Sequence, residues 1–167
     1  MSLILLAGQK RTGKTSSLLR WTANKPNVGG ILCPDIQKSR FMFDINKKVY
    51  IPFESKESEL PDLVSIGKYL FLKVAFELGG NVITNSIKQN PISILDEWGP
   101  LEINSGGYYP FLIPHLDEIS FSSSRHLLMV IRDQLIVDFK KQFPQLEISV
   151  FTNWVQSPST YLDPLLN

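Results

Sequence analysis

The sequence predicts an α/β fold with a mainly parallel sheet. Three observations carry that expectation. Apolar runs of strand length alternate with helix-like stretches along the chain. The first apolar run opens directly into Gly8-Gln9-Lys10-Arg11-Thr12-Gly13-Lys14-Thr15, and a later one ends in the adjacent acids Asp96-Glu97. The 167 residues suit a single domain over 1–167, long enough to bury a real core.

Taken in order, residues 3–7 are continuously apolar, as a parallel strand buried on both faces would be. Residues 16–21 read as a helix that ends before Asn24-Lys25-Pro26-Asn27, and residues 28–34 as the next short strand. Residues 40–45 and 48–53 flank Asn46-Lys47 and read as a β-hairpin inserted at the sheet edge. The polar run 54–62 is the best linker candidate. Residues 68–73 suit either a strand or the lead into a helix over 74–89. Residues 92–97 form a second buried strand, and 109–121 suggest a helix whose start is confined by Pro110 and Pro114. A strand over 126–132, a helix over 133–143 with Asp133 as its cap, and a last strand over 146–152 complete the pattern.

Composition narrows the function classes. Hydrophobic residues make up 43% and charged residues 20%, the proportions of a globular chain and not a disordered one. A net charge of +1 gives no strong nucleic-acid signal. The N-terminal apolar run reaches Gln9-Lys10-Arg11 too soon for a signal segment or a membrane span. The lone Cys33 allows no internal disulfide, so a reducing, cytoplasmic setting is expected. Cys33 has no catalytic His near it in sequence and reads as buried and inert, and His115 and His126 lack metal-ligand spacing.

The chemistry lies in the two marked segments. Residues 8–15 fit G-x-x-x-x-G-K-[ST], a loop whose successive backbone N–H groups form an anion nest at a helix N-terminus. Gly8, Gln9, Lys10, Arg11, Thr12, Gly13, Lys14, Thr15 and Ser16 are therefore the expected binding residues for the phosphates of a nucleoside triphosphate of the ATP or GTP class. Gly13 lets the backbone approach phosphate closely, Lys14 reaches the β- and γ-phosphates, and the Thr15 hydroxyl ligates Mg²⁺. Asp96, at the end of a buried strand, lies where open α/β sheets bind ligands and would hold Mg²⁺ through water, as a Walker-B residue. Glu97, one residue on, would orient or deprotonate an attacking water. Arg11, Arg40, Arg125 and Arg132 are candidates for stabilising charge on the γ-phosphate; Arg132 ends a strand and belongs on the same edge as Asp96, so it joins Glu97 and Lys14 as a catalytic candidate. Asn24–Asn27 looks like the guanine-reading N-K-x-D but lacks its Asp and follows the first helix instead of a late strand, so it is set aside. Trp98 and Trp154 follow strand ends; each offers a face for a base, though packing is the commoner use of a tryptophan.

Asp96-Glu97-Trp98-Gly99-Pro100-Leu101-Glu102, following a strand in a short chain with this loop, resembles the small P-loop nucleoside-triphosphatase family of the thermophile type, to which the human cancer-related nucleoside-triphosphatase also belongs. Residues 28–45, with Arg40, and the stretch Met129 to Ile136 are similar to the same family. The resemblance implies a three-layer, RecA-like P-loop NTPase fold and slow Mg²⁺-dependent hydrolysis of several nucleoside triphosphates to diphosphate and phosphate. Three residues depart from the family pattern. Arg11 stands where a Gly is usual and must avoid positive φ or accept strain. Asn153-Trp154 replaces an Asn-Arg pair, and Trp98 replaces a small aliphatic residue. Two other functions share the loop: a kinase phosphorylating a small nucleotide or nucleoside-like acceptor, and a nucleotide-responsive interaction module whose protein partners the sequence does not specify. Kinases exclude water with a mobile Arg-rich lid, whereas residues 54–62 are acidic, which favours hydrolysis.

Overall fold

The computed structural model describes residues 2–58, 60–116 and 125–166. Its main sheet contains β1 (Ser2–Ala7), β2 (Val28–Leu32), β3 (Asp35–Ile36), β4 (Ser39–Asp44), β5 (Val49–Pro52), β9 (Ile92–Trp98), β10 (His126–Ile131) and β11 (Ile148–Phe151). The spatial order is β11-β1-β10-β9-β2-β4-β3, with β5 paired to β4. The first five strands in that order run parallel. β4 joins β2 antiparallel, and β3 and β5 pair antiparallel to β4, which places the hairpin at the sheet edge.

The apolar strand runs alternate between two buried faces, because successive side chains of a strand point opposite ways. Leu3, Leu5, Leu95, Leu127 and Met129 pack with Phe76, Ile83, Leu112 and Phe139 from α2 (Lys73–Gln89), α4 (Tyr109–Leu116) and α5 (Ile136–Gln142). Ile4, Leu6, Ile92, Ile94 and Leu128 pack on the other face with Leu18, Trp21 and Leu162 from α1 (Lys14–Thr22) and α6 (Pro158–Leu162). Helices thus cover both faces of one sheet, the three-layer arrangement that the family resemblance implies.

Several elements differ from the sequence reading. Residues 54–62 are not simply a linker: β6 (Glu54–Ser55) pairs with β8 (Tyr69–Leu72), which also pairs with β7 (Leu63–Ile66) in a small second sheet. The polar run hides a strand because Glu54 faces a specific partner, its carboxylate accepting the Arg40 backbone N–H. Residues 68–73 resolve as strand followed by the first turn of α2. Asp133 is not a helix cap. Arg132 holds the cap position of a 3-10 turn, Asp133–Leu135, no side chain caps that turn, and α5 begins only at Ile136. The expected helix over 109–121 is seen as α4 up to Leu116, and its last five positions lie outside the described residues. The short β3–β4 hairpin turns on Gln37 and Lys38, both at positive φ (51° and 65°), the backbone that a two-residue hairpin loop matched to strand twist requires.

Candidate active site

β1 ends in the interior of the parallel sheet, so the loop after Ala7 rises from its C-terminal edge. The loop turns into α1 at Gly13, whose φ of 84° is left-handed backbone that a glycine adopts without strain. Arg11 lies at φ 63° and accepts the strain that its side chain brings there. Lys14 lies folded back over the loop, its Nζ donating to the Gly8 carbonyl at 2.8 Å and to the Gln9 carbonyl. The Thr12 hydroxyl also donates to the Gln9 carbonyl, at 2.9 Å. Burial lowers the Lys14 ammonium from its ordinary value; Asp96, Asp133 and Glu97 oppose that shift, and Arg132 adds to it.

The loop is braced from beneath. Trp154 is fully buried and donates its indole N–H to the Ala7 carbonyl at 3.0 Å, and the Ser17 hydroxyl donates to the Val155 carbonyl at 2.6 Å. Trp154 therefore supports the phosphate loop and has no face left for a base. Trp98 is likewise buried, with its ring 5.5 Å from Phe139 and 6.0 Å from Phe143.

β9 brings both acids to the same edge. From Leu95 to Trp98 it advances three residues while its partner β10 advances two, from Met129 to Ile131. The extra residue is a bulge, and within it Glu97 adopts φ 80°. Asp96 stays in the interior, with Oδ2 accepting the Cys33 N–H at 2.9 Å. Its carboxyl is pushed up to about 6, by burial first and the Glu97 charge second, against the Cys33 N–H, the Thr15 hydroxyl and Arg40, which lower it. Asp96 Oδ1 is buried without a hydrogen-bond partner among the described residues. Burial pushes the Cys33 thiol well up, so it stays protonated and inert.

Glu97 turns outward and pairs with Arg40 Nη1, while Arg40 Nε reaches Asp35 Oδ1 at 3.2 Å. Burial works against the Arg40 cation, but Glu97 and Asp35 outweigh it and raise its pKa. Glu102, in the single turn of α3 (Pro100–Ile103), belongs to the sequence motif but had no role assigned by it. It is 4% exposed, and its two carboxylate oxygens accept the Gly99 N–H at 2.9 Å and the Tyr108 N–H at 3.3 Å. Its carboxyl is pushed up to about 7, by burial first, against those two N–H groups, with Glu97 adding to the rise.

One cavity of about 540 Å³ collects these groups. Lys10, Arg11, Thr12, Gly13, Lys14, Thr15 and Ser16 line it together with Asp96, Glu97 and Arg132. Gly8 and Gln9 do not line it, and enter only through the carbonyls that hold Lys14. Arg40 lines it, whereas Arg125 does not; Arg125 bonds the Ile87 carbonyl instead. Lys25, of the set-aside Asn24–Asn27 stretch, is engaged by Asp163 at 2.9 Å. Sequence reasoning missed the far wall of the cavity, built by Phe53, Phe71, Phe76 and Tyr108. No spacing signalled it, because these residues are dispersed over 56 positions on separate elements and the connections between them.

The residues present suit a hard divalent cation. Asp96 Oδ1, which has no hydrogen-bond partner among the described residues, and the Thr15 hydroxyl are oxygens on the cavity wall that could hold one. Among the described residues no group of three or more His, Cys, Asp or Glu could hold a metal alone. A carboxylate and a hydroxyl at the cavity fit Mg²⁺, which binds through one or two protein oxygens plus substrate phosphates.

A family model described as NTPase matches residues 3–154. Among solved structures, THEP1 from the hyperthermophile Aquifex aeolicus is similar, with a TM-score of 0.66 covering 96% of this chain and 99% of that one. Sequence identity between the two is 14%, so the likeness is one of fold. No curated protein matches the sequence.

Proposed function

The chain belongs to the NTPase family whose model spans residues 3–154, and from that premise we propose that it hydrolyses Mg²⁺-bound nucleoside triphosphates to diphosphate and phosphate with broad base tolerance. The observation that carries the proposal is the bulge in β9. It leaves Asp96 buried with a free oxygen and turns Glu97, at φ 80°, into the cavity that Lys14 and Thr15 also line.

The roles derive from the positions. On binding, Lys14 exchanges the Gly8 and Gln9 carbonyls for β- and γ-phosphate oxygens, and the loop amides and α1 add their dipoles. Thr15 and Asp96 would hold Mg²⁺, which would neutralise charge on the phosphate oxygens. Glu97 accepts a proton from the attacking water, and Arg40 fixes the orientation of its carboxylate. Arg132, at the end of β10 and close enough to depress the Lys14 pKa, adds positive charge where the transferring group becomes more anionic. Among the described residues no helix is long and apolar enough to cross a membrane.

Base tolerance rests on the segment after β11. Guanine recognition needs an acid for its N1 and N2 protons, and Thr152-Asn153-Trp154-Val155 supplies none. Trp154 is committed to the loop floor. Phosphate release from ATP, GTP, CTP and UTP tests the proposal. The kcat/KM values are expected within roughly tenfold of one another, the equivalent of ~1.4 kcal/mol. A preference beyond about a thousandfold, ~4 kcal/mol, contradicts base tolerance. No Mg²⁺-dependent phosphate release from any of the four contradicts the function itself.

A further inference from the structure

Two arginines reach the phosphate end of the cavity from opposite sides of β9. Arg132 follows β10, one neighbour of β9, and Arg40 comes from β4, beyond β2, the other neighbour. Both line the cavity.

The bonds of Arg40 divide into a fixed backbone and a side chain that is only partly used. Its N–H donates to the Glu54 carboxylate at 3.0 Å, and its carbonyl accepts the Phe53 N–H at 3.1 Å. Its backbone also pairs with Asp35 across the β3–β4 hairpin. The hairpin is therefore anchored without help from the guanidinium, which is free to serve another purpose. The side chain crosses to the end of β9 and is 19% exposed. A guanidinium carries five N–H groups in a planar fork. Nε–H goes to Asp35 at 3.2 Å, and Nη1 goes to Glu97. Among the described residues Nη2 bonds no protein group.

Donors withdrawn from water and left without an acceptor cost free energy. Glu97 and Asp35 compensate the charge of Arg40, but they leave Nη2 unsatisfied. The two acids also pin the fork, so little side-chain freedom remains to be lost when a ligand arrives. A phosphate oxygen is the acceptor that suits such a fork best, being anionic and open to several N–H groups. Position selects which phosphate. Glu97 acts on a water that attacks the γ-phosphorus, so a guanidinium bonded to Glu97 lies beside the γ-oxygens.

We propose that Arg40 is a second catalytic arginine, donating from Nη2 to a γ-phosphate oxygen while Nη1 keeps its hold on Glu97. The inference rests on the reading of Lys14, Asp96 and Glu97 as the triphosphate site. One rigid group then spans the base and the phosphoryl group under attack, and fixes the space between them for the water. Its charge lies where negative charge grows in the transition state. A diphosphate has no γ-oxygen to offer, so Arg40 also separates substrate from product.

Calorimetry with Mg·ATP and with Mg·ADP tests the proposal in the Glu97→Gln background. Hydrolysis is slow there, and removing Arg40 strands no carboxylate at position 97. Arg40→Gln, added to Glu97→Gln, is expected to lower Mg·ATP affinity roughly tenfold or more and to keep Mg·ADP affinity within about threefold. Thermal melting establishes that the double variant is folded, and Arg40→Met, which keeps the apolar stem, replaces Arg40→Gln where it is not. An equal loss for both nucleotides, or no loss for either, overturns the γ-phosphate contact. Arg40 would then act only through Glu97 and the hairpin, and the hydrolase reading would stand. Binding of neither nucleotide by the wild-type protein removes the triphosphate site itself.

Discussion

Glu97 is held where a side chain is uncomfortable. A non-glycine residue at positive φ in a strand bulge costs on the order of 1–3 kcal/mol, and such strain persists only where the surroundings enforce it. Its neighbour Asp96 is displaced in another sense, since its carboxyl titrates near 6 instead of in the ordinary aspartate range. The sign of the linkage is set by that direction. A folded-state pKa above the unfolded value gives stability that is present at low pH and is lost as pH rises through about 6. The melting temperature of Asp96→Asn relative to wild type is therefore expected to climb between about pH 4 and pH 7, measured without nucleotide. A flat difference contradicts the buried-carboxyl account. Because Mg²⁺ requires the anion, Mg·ATP affinity in wild type should fall below about pH 6, by at most about tenfold per pH unit, when followed by calorimetry. Lys14 supplies the third test at this scale. Among the described residues its Nζ bonds only loop carbonyls, so Lys14→Ala should leave the fold intact and remove detectable Mg·ATP binding. Wild-type affinity in that variant sinks the phosphate assignment.

Two contacts between elements decide whether the site is assembled. β2 passes β9 so closely at Gly30 that an added Cβ would lie 2.2 Å from the Ile94 carbonyl oxygen, and φ there is 105°. Gly30→Ala therefore combines backbone strain with a clash against backbone, and should cost more than ~2 kcal/mol in urea unfolding. Trp154 fixes the chain after β11 beneath the phosphate loop. Trp154→Ala should cost ~3–5 kcal/mol as a buried large-to-small change, and weaken all nucleotides together through the loop. Stability close to wild type in the urea titration would show that its indole does not brace Ala7. The parallel strands were legible because two-sided burial writes itself as an apolar run, as at residues 3–7 and 92–97. The small second sheet was not, because β6 has two residues and its charged side chain is satisfied by the Arg40 backbone, a partner 14 positions away. Local pattern carries no record of such pairings.

At the scale of the molecule, the strand order puts β10 and β9 between β1 and β2, so the loop after β1 and the acids of β9 face one another across the same sheet edge. Residues 10–16 and Asp96-Glu97, which line one cavity, stood out in the sequence because a Gly-Lys-rich loop and an acidic strand end are local arrangements of few residue types. Arg40 could be seen only as one of four candidate arginines, since its pairing with Glu97 spans 57 residues. The aromatic half of the cavity left no trace in any window, being assembled from β8, α2, the segment before β6 and the segment before α4. The central claim is that Glu97 activates the nucleophile while Lys14, Thr15 and Asp96 hold Mg·NTP. The measurement that tests it most directly is phosphate release by Glu97→Gln, with Mg·ATP affinity determined by calorimetry on the same preparation. The account predicts affinity close to wild type with turnover lower by roughly 10²–10⁴, the loss expected when a general base is removed. Turnover near that of wild type, with binding intact, would contradict it.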